Sequence, residues 1–495
     1  MPLESVAPER YGSREQPLPA TAAIVSHVSG AQDVPLLELT IGQSLLATVA
    51  KHGGRDALLV PHQGIRWSWR ELAYRADEVA AGLLALGLEP GDRIGIWAPN
   101  QAEWVLTQLA SARAGLILVG LNPACRGTEL AHALNKVECK VLIFAPELGA
   151  GDALAIVDEL LPELHVSPFG QLHARALPHL RWVIRLGEDT SDGMLNFSEL
   201  PARADAASRV RLDALGAMLR CDHPVSIRFM PGTTVPPRAV TFTHRNILNS
   251  AHLVAQAARI TEVDRVCIPL PLHHELGAVI GNLGCLTQGA AIVYPAVPCE
   301  TLNVLATVQA ERCTALHGVP AMFLAALEHP RRTEFDLRSL RTGVIGGAYC
   351  PTAVTRRVAT HLRMRDAVSA YGAIGSAVLC TQGLLVDPVS RTDATAGGAL
   401  PQLELRIVDA DGHLVSRGTR GKLCVRGHAV MRGYWGDETG TREAIDAEGW
   451  LATGDLATMS MHGQIDIVGR DSEMQGLGSR DMDPWTTEGP KLRAS

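Results

Sequence analysis

Short apolar runs alternate with stretches of helical period along most of this chain. Ser68-x-x-Glu71 has the form of a capping box, in which a hydroxyl and a carboxylate each bond the other's backbone N–H. Behind it, Leu72, Ala76, Val79, Ala80, Leu83 and Leu84 recur at helical spacing on one face, and Gly87 suits the stop. Arg93–Trp97 (RIGIW) then reads as a buried strand, followed by a helix at 101–114, a strand at 116–120, a helix at 128–135 and a strand at 140–144. Strand and helix in strict alternation predict parallel βαβ units with helices on both faces of a sheet.

The pattern divides the chain. Residues 1–35 read as an irregular arm, and 146–222 as a softer region broken by Gly, Pro and Ser. Alternation resumes with a strand at 225–229, a helix at 245–258, strands at 267–270, 291–294, 314–318 and 343–346, and a helix after Pro351. From about 397 the period changes to that of strands: LELRIVDADGHLV turns at Asp411-Gly412, and KLCVRG follows. The expected organisation is an arm (1–35), an α/β core of two βαβ-type subdomains (36–396), a small β subdomain (397–470) and a polar tail (471–495). Residues 276–299 carry no charge and are long enough to cross a bilayer. Asn282, Gln288, Pro295 and Pro298 within them favour a buried helix and a strand at Ala291–Tyr294, so no membrane span is expected.

Composition narrows the class. Hydrophobic residues at 46% and charged residues at 20% fit a soluble globular protein and exclude a disordered one. Lys+Arg is 45 against Asp+Glu at 52, and no stretch is strongly basic, so nothing favours nucleic acid as partner. Ten cysteines contain no C-x-x-C pair, and MPLESVAPERYGSREQ has no apolar signal core. The expectation is a cytoplasmic protein with reduced thiols. Lysine occurs only at 51, 136, 140, 422 and 491, which leaves few groups for lysine chemistry.

Three segments carry chemistry. Pro231-Gly-Thr-Thr-Val-Pro-Pro-Arg238, read as joining a strand to a helix, offers amides, hydroxyls and a cation to a phosphate; a plain connecting loop reads equally from the residues alone. Tyr371-Gly-Ala-Ile-Gly375 is the second. The third is Gly449-Trp-Leu-Ala-Thr-Gly-Asp455 with the IVGR that ends at Arg470. An aspartate on a tight turn there accepts two hydroxyls, such as those of a ribose, or simply closes an Asx turn. His273-His274-Glu275 resembles half a zinc site, but the i+4 partner histidine is absent, so no metal ligand is assigned.

Taken in order, these segments resemble the acyl- and aryl-adenylating superfamily, and most of all fatty acyl-CoA synthetases of the family-member-2 type. The resemblance covers roughly residues 30–485 through VPHQGIRWSW, GDRIGIWAPNQAEWV, FTHRNILNS, RVCIPLPLHHELG, LRTGVIGGAYCP, GYWGDETGTREAIDAEGWLATGDLATM and IVGR. It implies ATP and Mg²⁺ as cofactors with coenzyme A as thiol acceptor, and a medium- to long-chain carboxylic acid as substrate. By position, Asp455 corresponds to the aspartate that takes the ribose hydroxyls and Arg470 to the arginine that holds it. Gly346, Gly347 and Ala348 correspond to the segment beside adenine and the acyl pocket, Tyr371 and Gly372 to the adenine-side pair, and His274 and Gly277 to the pocket wall. Gly232, Thr233 and Thr234 correspond to the phosphate loop, and Arg238 stands at its lysine.

The departures cluster at the reaction centre. The loop's serine is Pro231, its second glycine Val235 and its last glycine Ala239. The threonine and the Mg²⁺-binding glutamate of the second segment are Ile374 and Gly375, and Ser472 stands at the hinge. The chain stops at Ser495, so the resemblance implies loss of the mobile C-terminal domain, with a separate protein as its possible source. Four readings follow: an acyl-CoA-ligase-like enzyme with weakened or altered chemistry, adenylation of another oxyanion such as nitrite, a non-catalytic protein that binds nucleotide or acyl ligand, and a decayed product.

Overall fold

The computed structural model describes residues 24–148, 151–230, 237–348, 350–373, 378–383 and 396–470. The Trp69–Ala85 helix starts on the expected box: Ser68 Oγ accepts from the Glu71 N–H at 3.3 Å, and the Glu71 carboxylate accepts from the Ser68 N–H at 2.8 Å. Its apolar face is fully used. Trp69, Leu72, Ala76, Val79, Ala80 and Leu83 share one cluster with Leu58 and Val60 of one sheet and Ile94 and Ile96 of another. Burial of that order contributes about 1.5–3 kcal/mol per large side chain.

Four main sheets organise the chain. The largest runs Leu195–Asn196, Trp182–Arg185, Val141–Phe144, Arg93–Trp97, Ile117–Gly120, Pro224–Met230, Arg238–Thr243, Gly433–Tyr434. It is parallel as far as Pro224–Met230 and antiparallel after it. Its second face is covered by a separate cluster that includes Trp97, Phe144, Leu130, Leu134 and Val157. Both faces are therefore buried, which is why its strands read as continuous apolar runs. A second sheet runs Ala315–Leu316, Arg265–Cys267, Ala291–Val293, Asp56–Val60, Ile65–Ser68, and a four-stranded one Val344–Gly346, Val368–Gly372, Val378–Gly383, Gly398–Ala399. The last is wholly antiparallel: His27–Ser29, Leu403–Val408, Gly421–Gly427, Leu451–Met459, Ile465–Arg470.

The α/β expectation is met, with local corrections. Residues 27–29, read as irregular arm, pair with 404–406. The soft region supplies two strands of the largest sheet and the helices Ala153–Leu160 and Ala206–Met218. The strand read at 267–270 is Arg265–Cys267, because the carbonyls of Ile268 and Leu270 are taken by the Asn100 side-chain amide. The one read at 314–318 is Ala315–Leu316, with Thr314 Oγ1 bound instead to Asp264. Beyond 397 the strands are joined by a helix at Glu438–Ala444. The uncharged 276–299 stretch holds a π-helix, Leu276–Leu283, then Gly284–Gln288 and the Ala291–Val293 strand. Its polar groups are paired inside: Asn282 donates to Gln108 at 3.0 Å and accepts from the Tyr294 hydroxyl at 2.7 Å. No helix among the described residues is long and apolar enough to cross a membrane.

FTHRNILNS acts as a structural hub. Thr243 and Asn246 form a capping box on the His244–Ala257 helix, and the Asn246 amide reaches the carbonyls of His428 (2.7 Å) and Val430 (2.9 Å). His244 Nδ1 accepts from the Ile41 N–H at 3.1 Å, and Asn249 bonds both backbone groups of Leu37. The start of one helix thus ties two distant segments, 37–41 and 428–430, together.

Candidate functional site

Asp455 lies inside the Leu451–Met459 strand, not on a tight turn; its partner strand places Arg470 directly opposite it. Arg470 Nε is 3.3 Å from Oδ1, and the Tyr371 hydroxyl donates to Oδ2 at 2.5 Å. The carboxylate is only 6% exposed, so these charge-assisted bonds form in a poorly screened setting. Asp455, Arg470 and Tyr371, assigned separately along 100 residues of sequence, are one cluster.

Gly346, Gly347 and Ala348 follow from the register of the neighbouring strands. Gly346 pairs with Ala370, which puts 346–348 beside Tyr371 and Gly372. Gly347 has φ +81, and a Cβ there would meet Leu276 Cδ1 at 3.0 Å. Leu276 thereby connects the 346–348 segment to the Leu276–Leu283 helix. At Gly277 a Cβ would come within 2.5 Å of the Pro271 carbonyl, so only glycine lets the π-helix fold back on that turn. His274 is exposed, and its Nδ1 accepts from the Leu276 N–H at 3.3 Å.

Arg238 opens a strand, Arg238–Thr243, that pairs antiparallel with Pro224–Met230. The 231–238 segment therefore joins strand to strand rather than strand to helix: RAVTFT alternates and buries Val240 and Phe242. The Arg238 guanidinium lies 4.9 Å from the centre of the Tyr434 ring and lines a cavity of about 350 Å³ with His132, Lys136, Trp435 and Asp437. Its described contacts are with that ring and not with Asp455. Gly232, Thr233, Thr234, Ile374, Gly375 and Ser472 lie outside the described residues.

One group escaped the sequence reading. Arg228 on the Pro224–Met230 strand is 8% exposed, and its Nη1 has no partner among the described residues. Facing it are His273 and Glu275, with Nδ1 and Oε1 likewise buried and unpartnered. Burial pushes Glu275 up to about 7, against the pull of Arg228. Burial, then the charges of His274 and Arg228, push His273 down to about 4. Partial desolvation of its ring, and then the charge of Arg228, lower His274. The readable signal was a lone charged residue, Arg228, within the strand PVSIRFM. His273–Glu275 is thus an electrostatic partner of Arg228. Among the described residues, the one His/Cys/Asp/Glu group with metal-binding spacing is the exposed turn Asp409, Asp411 and His413.

The AMP-binding enzyme family matches residues 45–435, and the chain belongs to it. Within that family it is acyl-CoA-ligase-like. It is 36% identical over 454 residues to a putative acyl-CoA synthetase, YngI, of Bacillus subtilis (strain 168), covering 92% of this chain and 82% of that one. It is 34% identical to the mitochondrial medium-chain acyl-CoA ligase ACSF2 of Bos taurus, over 98% of this chain and 80% of that one. The fold is that of the anthranilate CoA ligase AuaEII in complex with anthranoyl-AMP, at TM-score 0.75 and 22% identity, covering 88% of this chain and 79% of that one. The N-terminal domain of FACL13 from Mycobacterium tuberculosis matches at TM-score 0.71 and 21% identity, over 87% and 99%.

Proposed function

We propose that this protein activates a carboxylic acid with ATP and transfers the acyl group to coenzyme A. The observation that carries the reading is the Asp455–Arg470–Tyr371 cluster beside Gly346–Ala348. Asp455 accepts the two ribose hydroxyls, while Arg470 and Tyr371 fix the carboxylate so that no reorganisation accompanies binding. The acid lies against the wall formed by His274, Leu276 and Gly277. Its carboxylate oxygen bonds the α-phosphorus, the bond to the β-phosphate oxygen breaks, and pyrophosphate leaves. The thiol then attacks the acyl carbonyl, AMP departs, and the thiol proton is released.

Thr233, Thr234 and Arg238 are the groups of this chain assigned to the phosphates by sequence, with Arg238 supplying the positive charge. Mg²⁺ enters bound to ATP, since Gly375 offers no carboxylate. A cytoplasmic location is part of the proposal; nine described cysteines, all free, accord with a reducing compartment. No observation favours adenylation of nitrite or a purely non-catalytic role. The test is incubation with ATP, Mg²⁺ and octanoate, with and without coenzyme A, measuring pyrophosphate, AMP and thioester separately. Acid-dependent pyrophosphate release is the expected result; its absence overturns the reading.

A further inference from the structure

Arg228, with its Nη1 unpartnered among the described residues, stands at the far end of a series of neighbouring segments. From Asp455 the series passes through Tyr371 to the 346–347 segment, across to Leu276, and on to Glu275 and Arg228. Register fixes the last step. Arg228 pairs with Gly120 on the neighbouring strand, and a Cβ on Gly120 would meet His273 Cα at 3.4 Å. Residues paired across strands point to the same face, so the Arg228 side chain and the 273–275 segment share that face. Exposure falls along the segment, from His274 (exposed) through His273 and Glu275 (half-buried) to Arg228 (8%). The cation is thus the most deeply buried member of a group whose outer member, His274, reaches solvent.

Inside, the Arg228 Nη1 meets no hydrogen-bonded anion among the described residues. Arg228 and Glu275 feel each other's charge, but Nη1 and Oε1 close no hydrogen bond. Beyond Arg228 a void of about 10 Å³, beside Gln108, Ser226 and Ile247, has room for a water at most. A buried guanidinium without a hydrogen-bonded anion is costly to the fold. Such a cost is understandable where a ligand supplies the anion, and guanidinium geometry matches a carboxylate in two parallel hydrogen bonds.

Resting on the acid-activation reading above, we propose that Arg228 is a specificity-determining residue and that the preferred acids carry a second carboxylate at the end remote from the reacting one. The reacting carboxylate faces the nucleotide side of Leu276, and the distal one reaches Arg228. Glu275 competes for the same guanidinium and yields it when protonated.

The experiment compares octanoate with octanedioate, two acids of one chain length, by isothermal titration against the full chain at pH 7 without nucleotide. Octanedioate is expected to bind at least tenfold more tightly, and Arg228→Gln to abolish the preference. Equal or tighter octanoate binding, or an unchanged preference in R228Q, overturns the proposal. Should R228Q fold poorly, Glu275→Gln gives the second reading: removing the competing carboxylate is expected to tighten octanedioate binding severalfold at pH 8, and unchanged or weaker binding counts against the proposal. Pyrophosphate release measured with both acids separates the two claims. Octanedioate preference without release upholds the Arg228 site and refutes acid activation. Release with octanoate and no octanedioate preference does the reverse.

Discussion

Asp455 and Arg228 are buried to nearly the same degree, 6% and 8% exposed, yet they are solvated by the protein in opposite ways. Asp455 is held by an arginine and a tyrosine hydroxyl, each from a different strand. Arg228 faces a carboxylate and two histidines without closing a hydrogen bond from Nη1. The first cluster is complete before a ligand arrives, and its job is geometric: to present a fixed acceptor. The second is incomplete, and the missing anion is what it is suited to select. Preorganisation and selection are thus assigned to separate clusters, with Leu276 between them.

Conditions that blur this comparison have the largest effect. His317 and His428 are pushed down to about 4 by burial, and His244 to about 3. Between those values and 6.5 the unfolded chain binds more protons than the folded one. The stability present above pH 6.5 is therefore lost as pH falls through the folded values, by about 3 kcal/mol each for His317 and His428 and about 5 kcal/mol for His244. Urea midpoints at pH 7.5 and 4.5 are expected to differ by several kcal/mol in extrapolated stability, with His428→Gln flattening the difference. A midpoint indifferent to pH would contradict the burial of these rings.

Glu275 acts with the opposite sign. Its folded pKa of about 7 exceeds its ordinary 4.5, so the folded state holds the proton longer. Its contribution to stability is full below pH 4.5 and is lost as pH rises to 7, about 3 kcal/mol in total. Glu275→Gln should gain on the wild type by up to that amount between pH 4.5 and 8, read as the difference of urea midpoints. Parallel curves for the two proteins would mean that Glu275 is not held protonated by its surroundings.

The paired cluster responds through its ligand. Asp455→Ala removes a charged acceptor and strands two donors, so AMP affinity should fall by about 1.5–3 kcal/mol, roughly 10- to 150-fold. Titration with AMP measures it, and equal binding by the variant would displace the ribose from Asp455. Tyr371→Phe removes a single neutral donor. A loss of about 1 kcal/mol, roughly fivefold in AMP affinity, is expected from the same titration; a loss as large as that of Asp455→Ala would give Tyr371 a direct part in binding.

The two clusters were unequally legible in the sequence. GWLATGD and IVGR are local strings, and Asp455 and Arg470 can be assigned from them. Even so, the tight turn read there is a strand, because the pairing that extends it involves residues 15 positions away. Ser68-x-x-Glu71 was legible for the same reason of locality. Arg228 with Glu275 is 47 residues apart in sequence and is joined only through the register of Gly120 with Arg228. Arg238 against Tyr434 requires the edge strand at Gly433–Tyr434 to be known first. Periodicity fixes which face a residue lies on, but not which residue another element brings to that face.

The His27–Ser29 strand has a consequence for how the molecule is made. Its partner is Leu403–Val408, and the His27 ring reaches Glu404 at 3.2 Å across 377 positions. A ribosome adding about 5–20 residues per second releases the first strand tens of seconds before its partner exists. Until then, three residues of unpaired edge must be kept from other chains, because the other four strands of the antiparallel sheet that carries Asp455 have not been made. Its completion is a late event in synthesis, and a delay of that length offers a binding window to any holdase that reads extended backbone.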